Sequence, residues 1–258
     1  MDKLSNCEMK EVHSFYAPDA LTSRQLPVEE ANHALRVLRL KEGDALNVID
    51  GQGHLIDATI TEATRRGCFF ENNRVETLPP MWAHRIHLAV APTKNIDRME
   101  WLVEKATEIG VDRISFLDCR YSERRVIKTE RLSKIAVAAM KQSHKFYLPQ
   151  IDDMQPFDTF VKASRSGLRF IAHCYDDADL LQPDGTKPML LEALRYKITD
   201  TDAATFTVLV GPEGDFSADE VLEALSSGFT PVSLGHSRLR TETAALVAVH
   251  LMQLAQAD

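Results

Sequence analysis

The sequence predicts an α/β protein in two parts, a small β-rich domain over residues 1–76 and a larger α/β domain over residues 82–258. Three observations carry that expectation. Short alternations of apolar and polar residues fill the first third, apolar runs alternate with helical periods after residue 82, and Leu78-Pro79-Pro80 separates the two rhythms. Period-two alternation marks strands with one buried face, whereas strand–helix–strand repetition marks a mainly parallel sheet covered on both sides. Consecutive prolines supply no main-chain donors, so regular pairing stops there. A length of 258 residues suits two such domains.

In the first part, Leu46-Asn47-Val48-Ile49 and the alternation over 55–60 flank Asp50-Gly51-Gln52-Gly53, a hairpin signal. Lys41-Glu42-Gly43-Asp44 and Arg66-Gly67 mark two further turns, one helix is expected across 28–38, and the whole reads as a compact barrel. In the second part, residues 86–91, 114–117, 168–173, 206–210 and 231–234 read as buried strands. Met99, Leu102, Val103, Ala106 and Ile109 recur at helical spacing, and Gly110 stands where a left-handed C-cap belongs. Ser217 and Glu220 have the spacing of a capping box, with Phe216 and Val221 as its hydrophobic staple. Thr241 is the expected N-cap of a terminal helix that is apolar nearly all round.

Composition narrows the function classes. With 44% hydrophobic and 26% charged residues the chain is an ordinary globular one. No stretch approaches the roughly 18 apolar residues of a membrane helix. Met1-Asp2-Lys3-Leu4-Ser5-Asn6 also lacks the apolar centre of a secretory signal, so a cytoplasmic protein without membrane contact is expected. Cysteines 7, 68, 119 and 174 form no Cys-x-x-Cys pair, which suggests neither a metal site nor a disulfide framework but reduced, buried thiols. The net charge of −8 is unevenly spread: residues 120–145 carry eight bases and two acids, residues 151–237 six bases and fifteen acids. A basic stripe on an acidic body can meet phosphates, because at physiological salt the field decays over about 8 Å. The alternative is a solvated helix face.

Ligands of parallel sheets bind where the loops at the strand carboxyl ends converge, and two such loops stand out. Gly211-Pro212-Glu213-Gly214-Asp215-Phe216 joins a buried strand to a capped helix, and its glycines let main chain approach a ligand closely. Neither Gly-Lys-Ser/Thr nor Gly-x-Gly-x-x-Gly is present, which removes the usual nucleotide-loop readings. An ordinary strand-to-helix turn is the alternative. The second loop, Ser233-Leu234-Gly235-His236-Ser237-Arg238-Leu239-Arg240-Thr241-Glu242-Thr243, sets two arginines and a glutamate at the mouth of a buried helix, where charges need partners or a ligand. A surface ion-pair cluster is the alternative there.

Gly211-Pro212-Glu213-Gly214, Leu234-Gly235 and Leu239-Arg240-Thr241-Glu242-Thr243-Ala244 closely resemble the RsmE family, the 16S ribosomal RNA uridine N3-methyltransferases of the knotted SPOUT superfamily. The likeness runs along nearly the whole chain. It includes His33-Ala34-Leu35-Arg36-Val37-Leu38-Arg39, Gly43-Asp44 and Asp50-Gly51 in the first part. In the second it includes Lys94, Met99-Glu100, the run from Glu104 to Val111, and Gln142-Ser143 ahead of Pro149. The chain departs from the family at Asp215, where a second Gly is usual, and at His236-Ser237-Arg238, where Pro-Arg and an aliphatic residue are usual. Arg125 and Lys145 replace the commoner Ser and Arg.

The resemblance implies a PUA-like RNA-binding barrel followed by a SPOUT α/β domain with a deep trefoil knot, an exception to the rarity of knots. It implies S-adenosyl-L-methionine as cofactor, held by His173, Cys174, Val210, Gly211, Glu213, Gly214, Leu234, Gly235, Leu239, Arg240 and Thr241. It also implies a homodimer and, as substrate, ribosomal RNA or the small ribosomal subunit. Arg240 is the expected clamp on the uracil oxygens or a phosphate; Glu242 is the candidate base, or else the residue that holds Arg240. Glu213 and Asp215 offer an acidic lining for a sulfonium. Candidates for RNA contact are Arg36, Arg39 and Lys94, with Arg120, Arg124, Arg125, Lys128, Lys134, Lys141 and Lys145 from the basic stretch. Of these Lys134, Lys141 and Lys145, spaced by seven and four, are expected on one helical face. Two other functions fit the same residues: methylation of another nucleotide or position, and a non-catalytic RNA-binding assembly factor.

Overall fold

The computed structural model describes residues 13–163, 166–198 and 205–257. The chain divides into two compact units, Met1–Pro79 and Pro80–Asp258. The opening hexapeptide and Cys7 lie outside the described residues.

In the first unit the alternating segments form one sheet in the order β1-β2-β3-β4, with β1 Ser14–Tyr16, β2 Ala45–Ile49, β3 His54–Thr64 and β4 Gly67–Thr77. β1 runs parallel to β2; the other neighbours are antiparallel. Gln25 bridges to Phe69 on the outer side of β4. Leu46, Val48, Ile56, Ala58, Ile60 and Phe70 turn to one face and close over Phe15. The Asp50–Gly51 turn is held by the Asp50 carboxylate, which accepts the main-chain N–H groups of Gln52 and His54 at 2.8 and 3.1 Å. The helix expected across 28–38 begins as α1, Val28–Asn32, but continues over His33–Val37 as a π-helical turn, with Leu38 N–H donating to His33 O at 3.0 Å.

The second unit is a six-stranded, wholly parallel sheet in the order β10-β8-β9-β5-β6-β7. Its strands are β5 Arg85–Val90, β6 Arg113–Asp118, β7 Gln150–Pro156, β8 Leu168–Ala172, β9 Thr205–Val210 and β10 Thr230–Val232. Strands buried on both sides explain the continuous apolar runs. Ile86, Leu88 and Val90 enter one core with helices α2 Ile96–Ile109, α3 Thr129–Gln142, α5 Leu190–Ile198 and α7 Thr241–Leu254. Ala89, Ala91 and Leu117 enter the other, against α4 Phe157–Lys162 and α6 Ala218–Ser226. Two of the three predicted caps are present. Gly110 closes α2 at φ 109°, and Ser217 and Glu220 make the reciprocal capping box of α6.

Four expectations need correction. Polar β7, absent from the sequence reading, adds an edge strand to β6. Arg240, with extended ψ of 157°, is the N-cap of α7, and Thr241 is its first helical residue. Lys145 does not share the face of Lys134 and Lys141: α3 ends at Gln142, and His144 turns left-handed at φ 52°. Cys68 and Cys119 are buried as expected, but Cys174 is exposed because it stands past the end of β8.

Candidate active site

The strand order sets the carboxyl ends of β10, β8 and β9 side by side, and the loops that follow them enclose two adjoining cavities of about 570 and 410 Å³. Ala172, Cys174, Val210, Arg238, Leu239 and Ala244 line both. The larger adds His173, Leu234 and Gly235; the smaller adds Gly211, Glu213, Gly214, Arg240 and Thr241. All the residues that the sequence proposes for the cofactor thus border one continuous space. Gly211 suits its turn, since a Cβ there would crowd Phe216 N at 3.0 Å.

The wall mixes apolar residues such as Val210, Val232, Leu234 and Leu239 with polar and charged ones. His173 is buried with both ring nitrogens unpartnered in the protein. Burial, aided by the nearby Lys187 ammonium, holds its pKa below the usual imidazole value. A buried imidazole left unsatisfied at both nitrogens is costly unless something hydrogen-bonds it. Lys187, which the sequence reading missed, donates from Nζ to Tyr175 O at 2.5 Å, to His173 O at 3.4 Å and to Asp176 Oδ1 at 3.0 Å, and so shapes the loop after β8. Nothing in the sequence separates that lysine from a solvated one.

The carboxylates expected to line the site are already engaged. Glu213 Oε1 accepts Lys94 N–H at 2.9 Å, and Asp215 Oδ2 accepts Cys174 N–H at 2.8 Å. Arg240 is exposed at the rim, and its side chain makes no hydrogen bond or ion pair among the described residues. Glu242 is buried and pairs with Arg98 at 3.6 Å rather than with Arg240, while its Oε2 has no hydrogen-bond partner. The reading in which Glu242 holds Arg240 is therefore corrected. Arg98 was not singled out, because one arginine in an amphipathic helix carries no distinguishing signal.

The basic candidates divide in the same way. Arg124 spends its guanidinium on the carbonyls of Thr93 and Lys94, Arg125 pairs with Asp118, Arg120 with Asp219 and Lys94 with Glu123. Lys128 is exposed at the start of α3, where Lys134 and Lys141 follow; Lys145 is half-buried, and burial lowers its pKa. In the first unit Arg36 lines a groove of about 710 Å³ with Lys41, Arg65 and Arg66, the last two at the tip of the β3–β4 hairpin. Arg39, in left-handed conformation at φ 57°, does not line it.

Comparison with known proteins agrees with this architecture. Residues 80–253 match the RNA methyltransferase domain family and residues 26–71 the RNA methyltransferase PUA domain. A probable rRNA-methyltransferase from Porphyromonas gingivalis superposes with a TM-score of 0.82 at 43% identity, over 95% of this chain and 99% of that one. Ribosomal RNA small subunit methyltransferase E from Neisseria gonorrhoeae, solved bound to S-adenosyl methionine, superposes with a TM-score of 0.76 at 25% identity, over 94% and 97% of the two chains. The Buchnera aphidicola enzyme of the same name is 26% identical over 95% of this chain and 94% of its own. By sequence in both parts and by fold over nearly its full length, the chain belongs to the ribosomal RNA small subunit methyltransferase E family of S-adenosylmethionine-dependent RNA methyltransferases.

Proposed function

We propose that the protein methylates N3 of one uridine in small-subunit ribosomal RNA, with Arg240 as the group that meets the reacting base. The observation that carries this reading is the unpaired Arg240 guanidinium at the rim of the cavity formed by the loops after β8, β9 and β10. When bound there, S-adenosylmethionine supplies an electrophilic methyl group on a positive sulfur. The imide nitrogen of uracil is a poor nucleophile while it keeps its proton. A guanidinium hydrogen-bonded to the ring oxygens stabilises the anion left when that proton departs. Glu242 is the second candidate, as base: its Oε1 faces Arg98, and its Oε2 has no hydrogen-bond partner. N3 lies on the pairing edge, so the target must be unpaired or turned out of its helix.

The groove around Arg36, Arg65 and Arg66 and the exposed Lys128 at the start of α3 suit contacts to RNA phosphates. We read the chain as a homodimer: Trp101 is exposed on α2, next to α7, whose Leu246, Val247 and Leu254 are only partly covered. We also read the C-terminal segment as threaded in a trefoil knot. α6 and α7 cover opposite faces, so the chain crosses beside the loop after β8, where Ser233 bonds to Pro188 and Leu190. Among the described residues no helix is long and apolar enough to cross a membrane, and a ribosomal RNA substrate supports a cytoplasmic setting. Arg240→Ala is expected to leave the unfolding midpoint unchanged and to lower methyl transfer to ribosomal RNA by about 100-fold or more, the order of one lost transition-state donor. Near-normal turnover would remove Arg240 from this role.

A further inference from the structure

Of the four carboxylates between Gly211 and Glu220, in the loop after β9 and the first turn of α6, three each accept a main-chain N–H from a different neighbouring loop. Glu213 takes Lys94 N–H, in the loop after β5, at 2.9 Å. Asp215 takes Cys174 N–H, in the loop after β8, at 2.8 Å. Glu220 takes Arg120 N–H, in the loop after β6, at 2.8 Å, while its other oxygen serves the α6 capping box. Arg124 reinforces the first tie by donating to the carbonyls of Thr93 and Lys94 at 3.1 and 2.5 Å. The partners are spread over three strand ends, so the arrangement is a set of spokes from one loop rather than an acidic patch.

Asp215 shows what such a tie is worth. Its φ of 65° is left-handed, a conformation that strains any residue with a side chain and favours glycine. Its carboxylate offsets the strain twice, because Oδ1 also accepts Phe216 N–H at 2.8 Å. Charge-assisted bonds to main-chain N–H are among the stronger hydrogen bonds, and they fix geometry as well as energy. Strand-end loops have no ladder of their own, so ties of this kind decide their shape.

We infer that Glu213, Asp215 and Glu220 are positioning residues that fix the Gly211–Gly214 loop at the cofactor cavity by accepting main-chain hydrogen bonds from three neighbouring strand-end loops, and that their negative charge is not what attracts the methyl donor. The inference rests on the proposed cofactor site. It separates cleanly from a charge role, because S-adenosylmethionine is a cation at sulfur and S-adenosylhomocysteine is a neutral thioether of almost the same shape.

The test is calorimetric titration of wild type, Glu213→Ala, Glu213→Gln and Asp215→Gly with both molecules. Glu213→Ala and Asp215→Gly are expected to weaken both by the same factor, about tenfold, the order of one charge-assisted bond. Glu213→Gln keeps an acceptor oxygen without the charge and is expected to recover binding of both to within about threefold. Loss confined to S-adenosylmethionine, or a glutamine variant as weak as alanine, overturns the positioning role. Should Glu213→Ala not fold, the ratio of the two affinities in Glu213→Gln decides the matter. A wild-type protein that binds neither molecule overturns the cofactor site itself, and the positioning role with it.

Discussion

His173 and Arg240 border the same space and owe their chemistry to opposite surroundings. Arg240 keeps a free guanidinium because it caps α7 at an exposed rim; His173 stays neutral because burial and Lys187 disfavour the imidazolium. The folded-state pKa of His173 lies below its unfolded value of about 6.5. As pH falls past about 6.5 the unfolded chain therefore binds a proton that the folded chain refuses, and stability declines with pH in that window; above it the contribution is complete. Between pH values of about 7.5 and 5.5, wild type is expected to lose more of its urea midpoint than His173→Asn does. Equal losses would show that another group governs the slope. At this scale the glycine loop and the terminal charged loop were legible in the sequence, while His173 and Cys174 entered only through the family resemblance. Lys187 and Arg98 stayed hidden, because what distinguishes them is the carbonyl or carboxylate they meet across the fold.

Elements with strong local signals were legible in advance: α2 through its period and Gly110, α6 through its capping box, and the central strands through apolar runs. The misses have physical causes. β7 is a polar edge strand, held by the pairing of β6 rather than by any apolar run of its own. The π-helical turn after α1 keeps helical periodicity in sequence while widening its hydrogen bonds to Leu38–His33. Lys145 matched a helical spacing that α3 does not reach. The β3–β4 hairpin gives this scale its prediction, since Arg65 and Arg66 project beside Arg36 along one groove. Replacing both with alanine is expected to weaken ribosomal RNA binding and to reduce the slope of log K against log salt by about 1.4, the share of two phosphate contacts on single-stranded RNA. A slope equal to that of wild type would show two arginines facing solvent.

Over the whole molecule, a chain of net charge −8 serves a polyanionic substrate by gathering eight bases against two acids over residues 120–145, while residues 151–237 carry fifteen acids against six bases. Some of those acids accept main-chain N–H groups of neighbouring loops. The two prolines stand where the two compact units meet in sequence, and the parallel sheet followed from alternating strands and helices. The crossing order β10-β8-β9-β5-β6-β7 was not legible, because it depends on contacts between segments far apart in sequence. A methyl on N3 blocks base pairing and halts reverse transcription, so primer extension on small-subunit ribosomal RNA tests the assigned reaction most directly. Cells lacking the protein are expected to lose one stop at a uridine, regained with the wild-type gene and not with Arg240→Ala; an identical pattern of stops with and without the protein would contradict the assignment.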